Sequence, residues 1–173
     1  GPGLEEPSGD AGRQAVAALR GYAYQIYVSA IAWLGLSDQE ILLLEVAEDF
    51  AVAGRDALAG TQVRDTAASG RITLQSASTC KTIDSFVDLV ARNPSRSVSL
   101  HYLTTSEIGA EQKVDHRIDG GPALLYWRRA AAGADVAPLR DLLSKMNLKP
   151  ATHSFLAALS DESFRTSFLA RIH

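Results

Sequence analysis

All of the strand-like sequence in this chain lies in one block, residues 41–106, between a long helical stretch and a helical tail. That order limits the fold more than any single motif. From Gly12 to Leu36, "GRQAVAALRGYAYQIYVSAIAWLGL" reads as one helix, because Val16, Leu19, Tyr27, Ile31 and Leu34 recur at three- and four-residue spacings. Gly35 or Ser37-Asp38 ends it. Gly21 inside it costs about 1 kcal/mol relative to alanine, which implies close packing there. Ile41 to Val52 then reads as a strand whose outward residues are Glu45 and Asp49, with a turn at Gly54-Arg55-Asp56. "ALAGTQVRDT" is a second strand, with Gln62 and Arg64 on one face and Val63 on the other. "GRITLQSAS" is a further short strand or an extended approach to a helix. "TIDSFVDLVARN" is an amphipathic helix closed by Pro94, and "SVSLHYLTTS" alternates as a buried strand. From Pro122 onward four short helical segments follow. The expected fold is therefore α/β: an N-terminal lead (1–12), an α/β core (13–120) and a C-terminal helical subdomain (121–173).

Composition narrows the class without naming a function. The 173 residues, 46% hydrophobic and 21% charged, suffice for a core without disulfides or a structural metal. A net charge of -3 argues against a generally basic nucleic-acid coat, though not against a local basic groove. One cysteine, Cys80, excludes an intramolecular disulfide and a multi-cysteine zinc cage, and a cytoplasmic location is expected. No apolar run approaches the roughly 20 residues that span a bilayer, so no membrane partner is expected. The first residues lack a secretory layout, Gly1-Pro2 reads as a protease-cleavage scar, and the helical ending "FLARIH" suggests a domain cut from a longer chain.

The chemistry-bearing stretch is "LLEVAEDFAVAGRDALAGTQVRDT", Leu43 to Thr66. Phosphodiester cleavage assisted by metal needs carboxylates to hold the ion and a cation to offset charge at the phosphate. Asp49 on one strand, with Gln62 and Arg64 two residues apart on the next, suits that need. Glu45 joins Asp49 on the same face if the strand runs unbroken. The bland alternative is a solvated surface or an ion pair.

"RGYAYQ" in the first helix, the E-x-x-[DE]-D pattern in "EVAED", "QVRD" and "LHYLTTS" together resemble the restriction-endonuclease-like, PD-(D/E)xK, superfamily. More narrowly, they resemble the double-stranded-DNA endonuclease effector domains of bacterial antiphage defence proteins. The resemblance runs in order along nearly the whole chain. It implies a core of helix, strands, helix and strand, and a partner in double-stranded DNA. It also implies further domains of the same chain, and activity that waits on assembly into a homo-oligomer. Mg²⁺ or Mn²⁺ would be held by Asp49 with Glu45 or Gln62, and Gln25 would border the site. Arg64 stands where the family has its catalytic lysine. Arginine keeps the charge and grips phosphate through two donors, but it is bulkier and does not release a proton at useful pH. The alternative is a catalytically inactive nuclease-fold module for DNA binding or protein–protein association.

Other residues carry two readings each. Lys81 is a substitute cation or a surface residue. Cys80 is an activated thiol or a small packed residue, and the second is favoured for want of a nearby histidine in sequence. His101 is a general base or a packed strand residue. His116 lines a groove or is solvated, and His153 and His173 have no chemical role. Tyr22, Tyr24, Tyr27 and Trp33 stack on bases or, as helical spacing favours, pack in the core. Trp127-Arg128-Arg129 with Lys113, Arg117 and Arg140 form a phosphate-contacting patch or a solvated face. No Walker-type glycine loop is present.

Overall fold

A computed structural model describes residues 9–37, 41–44, 50–64 and 70–173. The first helix, α1 (Gly9–Leu34), is followed by β1 (Ile41–Leu44), β2 (Phe50–Ala53) and β3 (Ala57–Arg64). Next come α2 (Ala77–Arg92) and β4 (Ser97–Thr104), then α3 (Ala123–Ala131), α4 (Ala137–Ser144), α5 (Pro150–Ala158) and α6 (Asp161–Ser167). The four strands form one mixed sheet in the order β1-β2-β3-β4. The first two pairings are antiparallel, and β3 pairs parallel with β4. A parallel pair needs a crossover connection, which α2 supplies.

One expectation is corrected here. Residues 41–52 are not a single strand, because β1 and β2 run antiparallel with Leu44 paired to Phe50. The unbroken strand that would have set Glu45 and Asp49 on one face does not exist. Both residues lie outside the described part of the structure, as do residues 1–8 of the lead.

The sheet has two differently used faces. Ala51 and Ala53 on β2, Leu58 on β3, and Val98 and Leu100 on β4 join Ile83, Phe86 and Val87 of α2 in one hydrophobic cluster. The same cluster takes in Trp127, Leu139, Leu143, Phe164, Phe168 and Leu169, so helices beyond residue 121 share a core with the sheet. Phe168 is its hub, with ring centroids 5.9 Å from Phe86, 5.1 Å from Trp127 and 5.2 Å from Phe164. Burying each such ring stabilises the fold by about 2–3 kcal/mol. Thr61 and Val63 leave β3 on the other side and are also buried. Helix α1 contacts β3, and none of its described side chains, from Leu19 onward, joins the cluster.

Three long-range polar contacts tie loops to this frame. Glu111, 3% exposed, accepts hydrogen bonds from the Leu74 N–H and from the Ala123 N–H at the start of α3, each at 3.3 Å. Asp84 on α2 caps α5, accepting from the Lys149 N–H at 3.1 Å and the Thr152 hydroxyl at 2.7 Å. The chain's last residues lie along β4: the His173 N–H donates to the Leu100 carbonyl and the Tyr102 N–H to the His173 carbonyl.

Candidate functional site

One row of paired residues crosses the whole sheet: Leu44, Phe50, Thr61 and His101. Beyond this row β3 and β4 continue together, pairing Gln62 with Tyr102, Val63 with Leu103 and Arg64 with Thr104. Leu44 and Phe50, the described neighbours of the acidic segment, therefore stand one step from Gln62. The sheet brings both ends of the acidic stretch to the end of β3 that carries the Gln-x-Arg pair. Of Arg64 the backbone is described, as the last residue of β3.

Gln62 is 1% exposed and sits beneath α2, its side-chain amide hydrogen-bonded to the Thr82 hydroxyl. Thr82 also lies 2.8 Å from the Ser78 carbonyl, one turn back in the helix. A hydroxyl carries one proton and the carbonyl can only accept. The Thr82 hydroxyl proton is therefore shared between the Gln62 amide oxygen and the Ser78 carbonyl. The Gln62 oxygen thus faces Thr82. Beside it on the same face, the Tyr102 hydroxyl is buried without a hydrogen-bond partner among the described residues. A buried orphan hydroxyl costs about 1–3 kcal/mol, so this end of the sheet carries unspent polar capacity.

The other expected site residues fall elsewhere. Gln25 is half-buried on α1, with its carbonyl accepting from the Ser29 hydroxyl at 2.8 Å. No described contact joins it to Gln62. Lys81 is exposed on α2. Neighbouring Cys80 is half-buried against the core, and burial first, then the Asp84 carboxylate, push its thiol pKa up. An activated thiol needs the reverse shift, so the packed-residue reading holds. His101 stacks on His173 with ring centroids 4.9 Å apart, and burial, then the neighbouring His173, hold its pKa below the ordinary value. His116 is half-buried, and His153 contacts the Met146 carbonyl at 3.1 Å.

The basic cluster does not survive as a unit. Trp127 is buried and its indole N–H donates to the Leu169 carbonyl at 3.0 Å. Arg140 donates to the Leu156 and Leu159 carbonyls at the end of α5 and pairs with Asp161. Arg117 donates to the Glu111 carbonyl at 2.6 Å. Arg129 pairs with Asp119 and lies over the Tyr126 ring. Arg128 and Lys113 are exposed. A second expectation is also corrected: Tyr22, Tyr27 and Trp33 are 62%, 63% and 65% exposed rather than packed in the core. Helical periodicity reported the stripe correctly but not what it faces.

Glu111 and Asp84 were not singled out by sequence reasoning. Glu111's partners lie 37 and 12 residues away and Asp84's 65 and 68, and no local spacing marks them. Among the described residues no three His, Cys, Asp or Glu side chains cluster as a metal site, and no helix is long and apolar enough to cross a membrane. No protein-family model, curated protein or solved structure matches this chain.

Proposed function

We propose that this chain is a restriction-endonuclease-like domain, the double-stranded-DNA endonuclease effector of a bacterial antiphage defence protein. One observation carries the reading. The order helix, three strands, helix, strand builds a mixed sheet that brings the acidic segment's ends beside the Gln62-x-Arg64 end of β3. Of the stretches that carry the resemblance, "RGYAYQ" falls in α1, "QVR" in β3 and "LHYLT" in β4, in the same order, and "EVAED" lies outside the described residues.

In this reading Asp49, with Glu45, supplies the carboxylates for Mg²⁺ or Mn²⁺, and the ion activates water and steadies the leaving oxygen. Gln62 fits a ligand role only through the remaining lone pair of the amide oxygen that accepts from Thr82, since the side chain is buried under α2. Arg64 supplies a permanent charge and a two-donor grip on phosphate. It contributes no proton transfer, so slow cutting is the expected behaviour.

A second reading has two observations in its favour. Burial of Gln62 under Thr82, together with arginine at the lysine position, suits a module that keeps the nuclease fold for DNA binding or association without cleavage. Incubating the domain with plasmid DNA and Mn²⁺, beside Asp49→Ala, separates the two. Nicking lost in Asp49→Ala supports the nuclease. Retention of DNA that weakens steeply with salt, without nicking, supports the binding module.

A further inference from the structure

From Leu19 to Ser37 the only charged residue is Arg20. Seven large apolar side chains in this part of α1 face outward: Leu19 69%, Tyr22 62%, Ile26 52%, Tyr27 63%, Ile31 53%, Trp33 65% and Leu34 79% exposed. Patches of this size on a monomer usually mark an interaction surface. At those exposures the seven side chains leave on the order of 800 Å² uncovered, the share each partner contributes to a standard interface.

The exposed face has an internal symmetry that selects the occupant. Between residues 19 and 34 the exposed positions are 19, 20, 22, 23, 26, 27, 30, 31, 33 and 34. Reversing the helix about the point between Ile26 and Tyr27 maps this set onto itself. It also maps the half-buried positions 21, 24, 25, 28, 29 and 32 onto themselves. Residues that exchange are Leu19 with Leu34, Tyr22 with Ile31, Ala23 with Ala30 and Ile26 with Tyr27. The two alanines let backbones approach. The single charge, Arg20, exchanges with Trp33, whose ring is the best face for a guanidinium. A two-fold interface needs a self-complementary patch of this kind.

We infer that α1 is the interface of a homodimer in which two copies pack their α1 helices antiparallel, with the two-fold axis at Ile26–Tyr27. This does not rest on the nuclease reading, because none of the residues in the patch is one that reading assigns to metal or phosphate.

Two experiments on the full 173-residue chain test it. Sedimentation from about 1 to 100 µM is expected to show a concentration-dependent dimer, and Ile26→Asp to raise its dissociation constant at least tenfold. Ile26 is half-exposed, so the circular dichroism spectrum of Ile26→Asp, and its melting at concentrations where the parent is monomeric, should stay unchanged. In a Cys80→Ala background, Ile26→Cys is expected to form a disulfide-linked dimer under mild oxidation. Leu19→Cys is not, because antiparallel packing sets the two copies of that position about 22 Å apart along the axis. Leu19→Cys mixed with Leu34→Cys should cross-link. A chain that stays monomeric at 100 µM overturns the inference. So does cross-linking of Leu19→Cys to itself, which requires parallel packing.

Discussion

Replacing Glu111 with alanine tests whether a single buried carboxylate joins the sheet region to the C-terminal helices. The carboxylate is 3% exposed and accepts the N–H groups of Leu74 and Ala123, the latter in the first turn of α3. Alanine leaves both donors buried without a partner, at about 1–3 kcal/mol each. It also removes a negative charge from a helix N-terminus, worth about 0.3–1 kcal/mol. The expected loss is about 3–5 kcal/mol, a large part of a typical domain's stability. Glu111→Gln keeps one acceptor oxygen and should lose about 1–2 kcal/mol. Urea unfolding followed by circular dichroism measures both, and for a chain of this length each kcal/mol lowers Tm by about 2–4 °C. An alanine variant within about 0.5 kcal/mol of the parent would refute the role given to Glu111, as would a glutamine variant that costs as much as alanine.

Three further outcomes follow from the same geometry. Asp84→Ala should cost about 1–2 kcal/mol by uncapping α5, and adding Thr152→Val should cost less than the sum of the two single changes; full additivity in denaturant melts would show that the pair does not act together. Arg140→Ala should destabilise by about 2 kcal/mol because two carbonyls at the end of α5 lose their donor, whereas Asp161→Ala, removing only the exposed ion-pair partner, should stay within about 0.5 kcal/mol; equal effects would assign the stability to the ion pair. His101 has a pKa held below its unfolded value of 6.5, so the unfolded chain binds more protons in that window. Its contribution is intact above pH 6.5 and is lost as pH falls toward the folded value. Stability should thus rise more steeply from pH 5 to 7 in the parent than in His101→Gln, and parallel pH profiles would remove that assignment.

What the sequence disclosed depends on the range of the interaction. Period and length were enough for α1, α2, β3, β4 and the helical tail, because each is decided by neighbours three or two residues away. The β1–β2 reversal was hidden: no Gly or Pro marks residues 45–49, and the apolar runs on either side read as one strand. Arg117 and Arg140 looked like part of a surface patch because sequence counts charges, not the carbonyls that they reach. For the candidate site, the Gln62-x-Arg64 spacing was legible, but the seal of Thr82 over Gln62 spans 20 residues and was not. The α1 stripe was seen as apolar, yet periodicity does not say whether its complement lies in the same chain.

The most direct test of the nuclease reading is the rate at which the domain nicks supercoiled plasmid with Mn²⁺, comparing the parent with Arg64→Lys. The account predicts slow nicking by the parent and at least tenfold faster nicking by Arg64→Lys, both abolished by adding Asp49→Ala. Failure of both the parent and Arg64→Lys to nick a plasmid that they bind would contradict it, leaving a module that holds DNA without cutting it.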